Sequence, residues 1–429
     1  MQTMPPIADH PLRYVLANEL HARPFPSVTP PATAAYLAIK PEHDAAGRDR
    51  GSDLDHLIAL LDRHGAAHPP PGATHYSGRI GRHLLIWESH TEFVSYTAIS
   101  EGLSARPFDP ADFGAFPEDW LAAAPGVRIS SALIRLQPVA DETALEAEIS
   151  GWFVPESVAV ARVLDNAAIV ASDFRIDPAG HIRVLVAVRP GTGPHRVGRI
   201  MQWMCEIETY KTMSMLGFAR VRALAPRLGG LENRLRVMVG EMRAAAQRAE
   251  DSLRELLDIS ADIEAMVAQV SFRFGATAAY DKIVEQRIQV LREARFSGHQ
   301  TIGEFMTRRF DPAMRTVRAS EARLSAMAER ARRAGELLRT RVDVERSAQN
   351  QALLASMDRR AALQLQLQKT VEGLSVVAIS YYAVSLAGYA LAPLAERAGI
   401  GKQMLVGAIT LPVVAVVWWL VHRIRSRFH

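Results

Sequence analysis

Three ionisable residues stand close together near the start of the chain. They are Glu19, His21 and Arg23, within His10–Pro26 (HPLRYVLANELHARPFP). A carboxylate, an imidazole and a guanidinium at a helix-to-loop junction could clamp an anionic ligand or relay a proton, because imidazole changes charge near neutral pH. The simpler reading is internal: Arg23 pairs with Glu19 to fix the loop, and Phe25 packs. Arg106 is a fourth candidate. Its Ala-Arg-Pro-Phe stretch, Ala105–Phe108, repeats Ala22–Phe25, so Arg106 and Arg23 would face one site if the two loops converge. Four residues also recur by chance.

A second group lies near the C-terminus, in LQLQLQKTVEGLSVVAISYY (Leu363–Tyr382) and just beyond. Glu372 sits where this polar stretch turns apolar, and a ring of such carboxylates in an oligomer would collect cations. Ser380, Tyr381, Ser385 and Gly388 follow. Ala378, Tyr381, Ser385, Gly388 and Ala392 share one helical face, mostly of small residues, which suits close helix contact. Either two spans simply pack there, or a polar pathway runs through an oligomer.

Other chemistry finds no pattern. The 14 histidines are scattered. His64 and His68 have i,i+4 spacing but run into prolines, and His75, His83 and His90 lack a metal-site spacing. Gly191-Thr192-Gly193 lacks the further glycine and the preceding-strand context of a phosphate loop. No nucleophile elbow occurs. The sequence therefore names no catalytic residue, metal ligand or cofactor, and the expectation is that the protein is not an enzyme.

Two uncharged apolar runs, Leu374–Leu394 and Met404–Val421, bracket a nine-residue connection. About 20 apolar residues span a hydrocarbon core of roughly 30 Å, so the pair reads as a transmembrane hairpin in the lipid bilayer. Arg423, Arg425 and Arg427 follow it, and Arg359, Arg360 and Lys369 precede it. The connection holds Glu396, Arg397 and Lys402. Both flanks are more basic than the connection, which puts both termini in the cytoplasm of a bacterial inner membrane. The N-terminus has neither the basic nor the apolar region of a signal peptide. The single Cys205 suits a reducing compartment.

The elements that must position these residues differ along the chain. Residues 1–194 read as a cytoplasmic α/β domain. A short helix is expected at Leu12–His21 and another at Asp53–His64. Strands are expected at Ala34–Ile39, His83–Glu88, Glu92–Ile99, Val127–Val139, Val158–Val163, Ile169–Phe174 and Ile182–Val188. Asp177-Pro178-Ala179-Gly180 is a hairpin turn. Residues 195–370 read as a helical bundle or stalk, with helices at His195–Leu224, Leu231–Phe274 and Ala276–Phe296 and a long one from Asp311-Pro312. Leu256, Ser260, Ile263, Val267, Val270 and Phe274 form one seam. Val317, Leu324, Ala331 and Leu338, with Met327 and Ala334, form another. Both suit an internal bundle or a homo-oligomerising stalk. Residues 371–429 hold the hairpin (spans 374–394 and 404–421) and the basic tail. The fold class is α+β.

Of 50 basic residues only five are lysine. Their acidic neighbours at helical spacing, without interleaved aromatics, argue against a nucleic-acid surface. Residues 311–370 carry an excess of positive charge, suited to anionic lipid heads or to a solvated helix face.

At His10–Pro26 and at LQLQKTVEGLSVVAISYYAVSLAGY (Leu365–Tyr389) the chain resembles a bacterial family of uncharacterised membrane-anchored proteins, domain of unknown function 3422. That likeness implies membrane association and no activity. The layout also resembles CorA-type magnesium channels, pentamers whose first span lines the pore. Their Gly-Met-Asn hallmark is replaced here by Gly388-Tyr389-Ala390. The expected function is an oligomerising structural, regulatory or ligand-binding module on the membrane. The alternative is a CorA-like ion channel or transporter. The protein partner or ion is not identified.

Overall fold

The computed structural model describes residues 7–14, 16, 17, 25–42, 47–244, 249–397 and 401–428. It is a mixed α+β structure with one nine-stranded sheet, followed by long helices. In chain order the elements are β1 (Ala32–Lys40), α1 (Arg50–Arg63), β2 (His75–Ile80), β3 (His83–Ser89), β4 (Val94–Glu101), a 3-10 turn (Pro110–Ala115), α2 (Glu118–Ala122) and β5 (Val127–Pro138). Next come α3 (Glu142–Trp152), β6 (Ala159–Val163), β7 (Ala168–Ser172), β8 (Ile182–Val188), α4 (Pro194–Ala244), α5 (Ala249–Leu291), β9 (Ala294–Arg295), α6 (Ile302–Arg309), α7 (Asp311–Arg397) and α8 (Lys402–Phe428). Two compact units result. The first holds residues 1–240 and 255–333, and the second residues 241–254 and 334–429.

The sheet order is β2-β3-β4-β1-β5-β8-β7-β6-β9. Among the described strands only β5 and β8 pair in parallel; β6 and β7 lie in the crossover that joins them. Strand β1 is buried at every position. Its side chains alternate between faces. Ala35, Leu37 and Ile39 meet Leu57, Leu60 and Leu61 of α1 in one core. Tyr36 points the other way, and its hydroxyl lies 2.8 Å from Thr209 Oγ1 on α4.

A histidine is built into the first core. His56 stacks on Trp120 at 3.9 Å. Its Nε2 lies 3.0 Å from the Trp120 carbonyl, which can only accept, and its Nδ1 lies 3.0 Å from the Tyr96 hydroxyl. The ring is thus held neutral, protonated on Nε2. Trp120 Nε1 donates back to the His56 carbonyl.

The two expected seams are buried within the chain. Leu256, Ile263, Val270 and Phe274 are buried with Ile259 and Met266, while Ser260 and Val267 flank the stripe. Val317, Leu324, Met327, Ala331, Ala334 and Leu338 are buried on α7. In the first unit Arg318 reaches Asp281 on α5 and Arg323 reaches Glu232 on α4. The second unit has Arg341 on the Met242 carbonyl and Arg346 on Glu250.

Helix boundaries differ from the sequence reading. Helix α4 runs on through Pro226, Gly229 and Gly230 to Ala244, where a break at Leu224 was expected. Pro226 is exposed, so the carbonyl it strands faces water. Buried Leu228, Leu231, Leu235 and Met238 hold the next turns by packing. Helix α5 likewise passes Gly275 unbroken. At Gly217 a Cβ would come within 2.2 Å of Thr277 Oγ1, so glycine lets α4 and α5 cross closely. Most of the expected helix at Leu12–His21 lies outside the described residues; Arg13, Tyr14, Leu16 and Ala17 are helical.

His56→Phe keeps the stacking but removes both ring hydrogen bonds, the one to the Tyr96 hydroxyl and the one to the Trp120 carbonyl, which then keeps only the Ala123 amide. A loss of about 1–3 kcal/mol in denaturant unfolding is expected, and no loss would contradict the bonded histidine. Burial, opposed by the Trp120 carbonyl, lowers the His56 pKa from 6.5, and burial with neighbouring charge lowers those of His83 and His181. Below about pH 6.5 the unfolded chain takes up protons that these folded histidines refuse. Stability should therefore fall as pH drops through that range, and a flat or rising profile would contradict neutral burial.

Candidate functional site

The second face of the sheet carries a polar cluster. Alternation turns Ile86 and Glu88 of β3, Ser95 and Thr97 of β4, and Tyr36 of β1 toward α4. Helix α4 answers with Met201, Cys205, Glu206 and Thr209. The cavity between them is about 20 Å³, room for about one water. Burial pushes the Cys205 thiol pKa up, so it stays protonated and is a poor nucleophile.

The loop from Ser89 to Phe93, which joins β3 to β4, closes this cavity. His90 stacks on Phe93 at 4.3 Å and meets the edge of Tyr210 at 6.3 Å. Its Nε2 lies 3.3 Å from Ser95 Oγ and 3.9 Å from Glu88 Oε2. Its Nδ1 lies 3.5 Å from the Tyr210 hydroxyl. Beyond His90 opens a cleft of about 370 Å³, which Arg50, Thr74, Thr91, Tyr210, Tyr280 and Ile283 also line. His90 thus stands between a one-water cavity and a cleft of small-molecule size, where an imidazole can pass a proton from one side to the other.

Two ion pairs fix the loop. Glu92 is fully buried; Arg273 donates to both its carboxylate oxygens, at 3.2 Å to Oε1, and Tyr280 donates at 2.8 Å. Burial first, and then Glu92, push the Tyr280 phenol pKa up. Arg48 pairs with Asp53, and both side chains are buried. It also donates to Ser89 Oγ at 3.0 Å, to the Thr91 carbonyl at 3.2 Å and to the His90 carbonyl. Lys40 is buried nearby, its pKa lowered by burial and then by Arg273.

Of the sequence candidates, Glu19, His21 and Arg23 lie outside the described residues. Arg106 is exposed and pairs at 3.2 Å with Asp109, the cap of the 3-10 turn. It lines neither cavity. In the second unit Ser380, Tyr381, Ser385 and Gly388 come together along a groove of about 550 Å³ between α7 and α8, opposite Val406 and Thr410. A Cβ on Gly388 would sit 3.6 Å from Val406, so the helices approach closely there. Ser380 is buried without a hydrogen-bond partner. Glu372 lies outside that lining and accepts from Gln368 at 3.3 Å. Among the described residues no three His, Cys, Asp or Glu side chains are grouped to hold a metal.

A family model matches residues 8–428 of the chain. The chain belongs to that family, Protein of unknown function (DUF3422). No curated protein and no solved structure matches it, and the likeness to CorA-type channels is not shown.

Sequence reasoning about this DUF3422 chain missed Glu88, Glu92, Arg273, Tyr210 and Tyr280 as site residues, and weighed His90 as a metal ligand and rejected it. The one local signal was the short Ser89–Phe93 loop carrying both His90 and Glu92. The residues that complete the site lie 120 to 188 positions away in sequence.

Removing Arg273 strands a buried carboxylate. Arg273→Met is expected to cost about 3–5 kcal/mol, and Glu92→Gln added to it should restore a large part. A single variant as stable as the wild type in denaturant unfolding would contradict the pairing.

Proposed function

We propose that the chain is anchored in the bacterial inner membrane by the ends of α7 and α8. In this reading both termini and the α+β unit are cytoplasmic, and the unit binds a ligand or partner rather than catalysing a reaction. The observation that carries it is uncovered apolar surface. Val377, Leu386, Tyr389 and Leu411 are 68%, 69%, 73% and 80% exposed. A patch of that extent is not left in water, and both helices are long and apolar enough to cross a bilayer. Their backbones satisfy themselves, as lipid requires. Arg423, Arg425 and Arg427, in the last turns of α8 beyond its apolar run, favour a cytoplasmic end.

Self-association belongs to the same reading. From Arg346 to Val371 only Ser356 is less than exposed, although Leu353, Leu354, Met357, Leu363, Leu365 and Leu367 lie there. Further copies of the chain would cover these side chains. A pore is less well supported, because Ser380, Ser385 and Gly388 of the first span meet α8 of their own chain.

Single cysteines test the orientation, since the native Cys205 is buried. In intact spheroplasts an impermeant maleimide should label Gln403→Cys, whereas Ser426→Cys should react only after lysis. The reverse pattern overturns the orientation, and labelling of both before lysis overturns the double crossing. Native mass spectrometry in nanodiscs should find more than one copy; a monomer would contradict self-association.

A further inference from the structure

We propose that the cleft between the Ser89–Phe93 loop and α5 binds a phosphate monoester that carries a planar ring, with Arg50 holding the phosphate. The inference rests on the binding reading of the α+β unit and is independent of how the chain sits in a membrane.

The charge of the cleft argues for an anion. Among the described residues Arg50 is the one formally charged side chain in the lining, and no ion pair or hydrogen bond engages it. Asp49, beside it in sequence, is occupied at the N-cap of α1 by the Gly51 amide and the Ser52 hydroxyl. Behind the lining the charges cancel as pairs, Arg48 with Asp53 and Arg273 with Glu92. Lys40 adds a further buried cation next to the second pair. Glu88 Oε2 lies 3.9 Å from His90 Nε2, but Glu88 lines the inner cavity and not the cleft. Burial and the neighbouring Arg50 both lower the pKa of Arg48, so an anion at Arg50 would relieve a crowding of cations. A guanidinium offers several donors in a planar fork, which suits a phosphate. The hydroxyls of Thr74 and Thr91 line the same cleft.

The remaining wall is aromatic. His90 and Phe93 form one stacked pair and Tyr210 and Tyr280 another, with centroids 4.3 Å and 5.4 Å apart. All four rings line the cleft. Tyr280 is fixed by its bond to Glu92 and His90 by Phe93, so a planar ligand meets rings already in place. Stacking on such rings is worth about 1–3 kcal/mol per base. The volume of about 370 Å³ falls within the size range of small-molecule sites.

The test is calorimetric titration of the full chain in phosphatidylcholine nanodiscs with AMP, adenosine and inorganic phosphate. AMP should bind, and adenosine and phosphate alone should each bind at least about tenfold more weakly. Arg50→Ala should weaken AMP at least about tenfold, with the melting temperature unchanged. Arg82→Ala, a change at the exposed β2–β3 turn, should leave AMP affinity unchanged. AMP failing to bind, or binding equally well to Arg50→Ala, overturns the site. Phosphate matching AMP overturns the ring assignment, and adenosine matching AMP overturns the phosphate assignment. Failure here leaves the cysteine-labelling outcome untouched, so this cleft and the membrane anchor fall separately.

Discussion

Strand β1 is buried on both faces along its whole length, and the rest of the first unit follows from that constraint. A two-sided strand needs a layer on each side. Helices α1, α2 and α3 supply one around Leu57, Leu60, Leu61 and Trp120. Helix α4 supplies the other. The second layer is the less apolar, because α4 sets Glu206, Thr209 and Tyr210 against Tyr36, Glu88 and Ser95. Polar groups buried there need partners, and α5 provides two of them by bringing Arg273 and Tyr280 to Glu92. The site is thus where two helix layers complete one sheet loop.

Much of this frame was legible in the sequence. Seven of the strands carried β-branched or alternating runs between turn residues. Gly180 closes the β7–β8 hairpin at a φ of +92°, as its Asp-Pro-Ala-Gly sequence implied. Strand β2 was not legible, because HYSGRI is a polar edge strand with glycine at its centre. Helix α3 was missed although Asp141 caps it through the Thr143 and Ala144 amides. Pro226 and Gly275 misplaced the breaks in α4 and α5, since local propensity yielded to buried faces on either side. The site itself was opaque for another reason. His90 and Glu92 look like loop residues until Tyr210, Arg273 and Tyr280 are folded onto them, and nothing local announces partners more than a hundred residues away.

The C-terminal helices obey the opposite constraint to β1. Their apolar ends remain uncovered, and a stable protein does not leave such surface in water. Membership of the DUF3422 family brings no activity with it, so the claim that the chain is held by lipid rests on that surface. The measurement that tests it most directly is flotation of the full chain through a density gradient after alkaline carbonate washing of the membranes. The protein should rise with the lipid and resist extraction. Recovery in the soluble fraction would mean that some other protein surface covers α7 and α8, and would contradict the account.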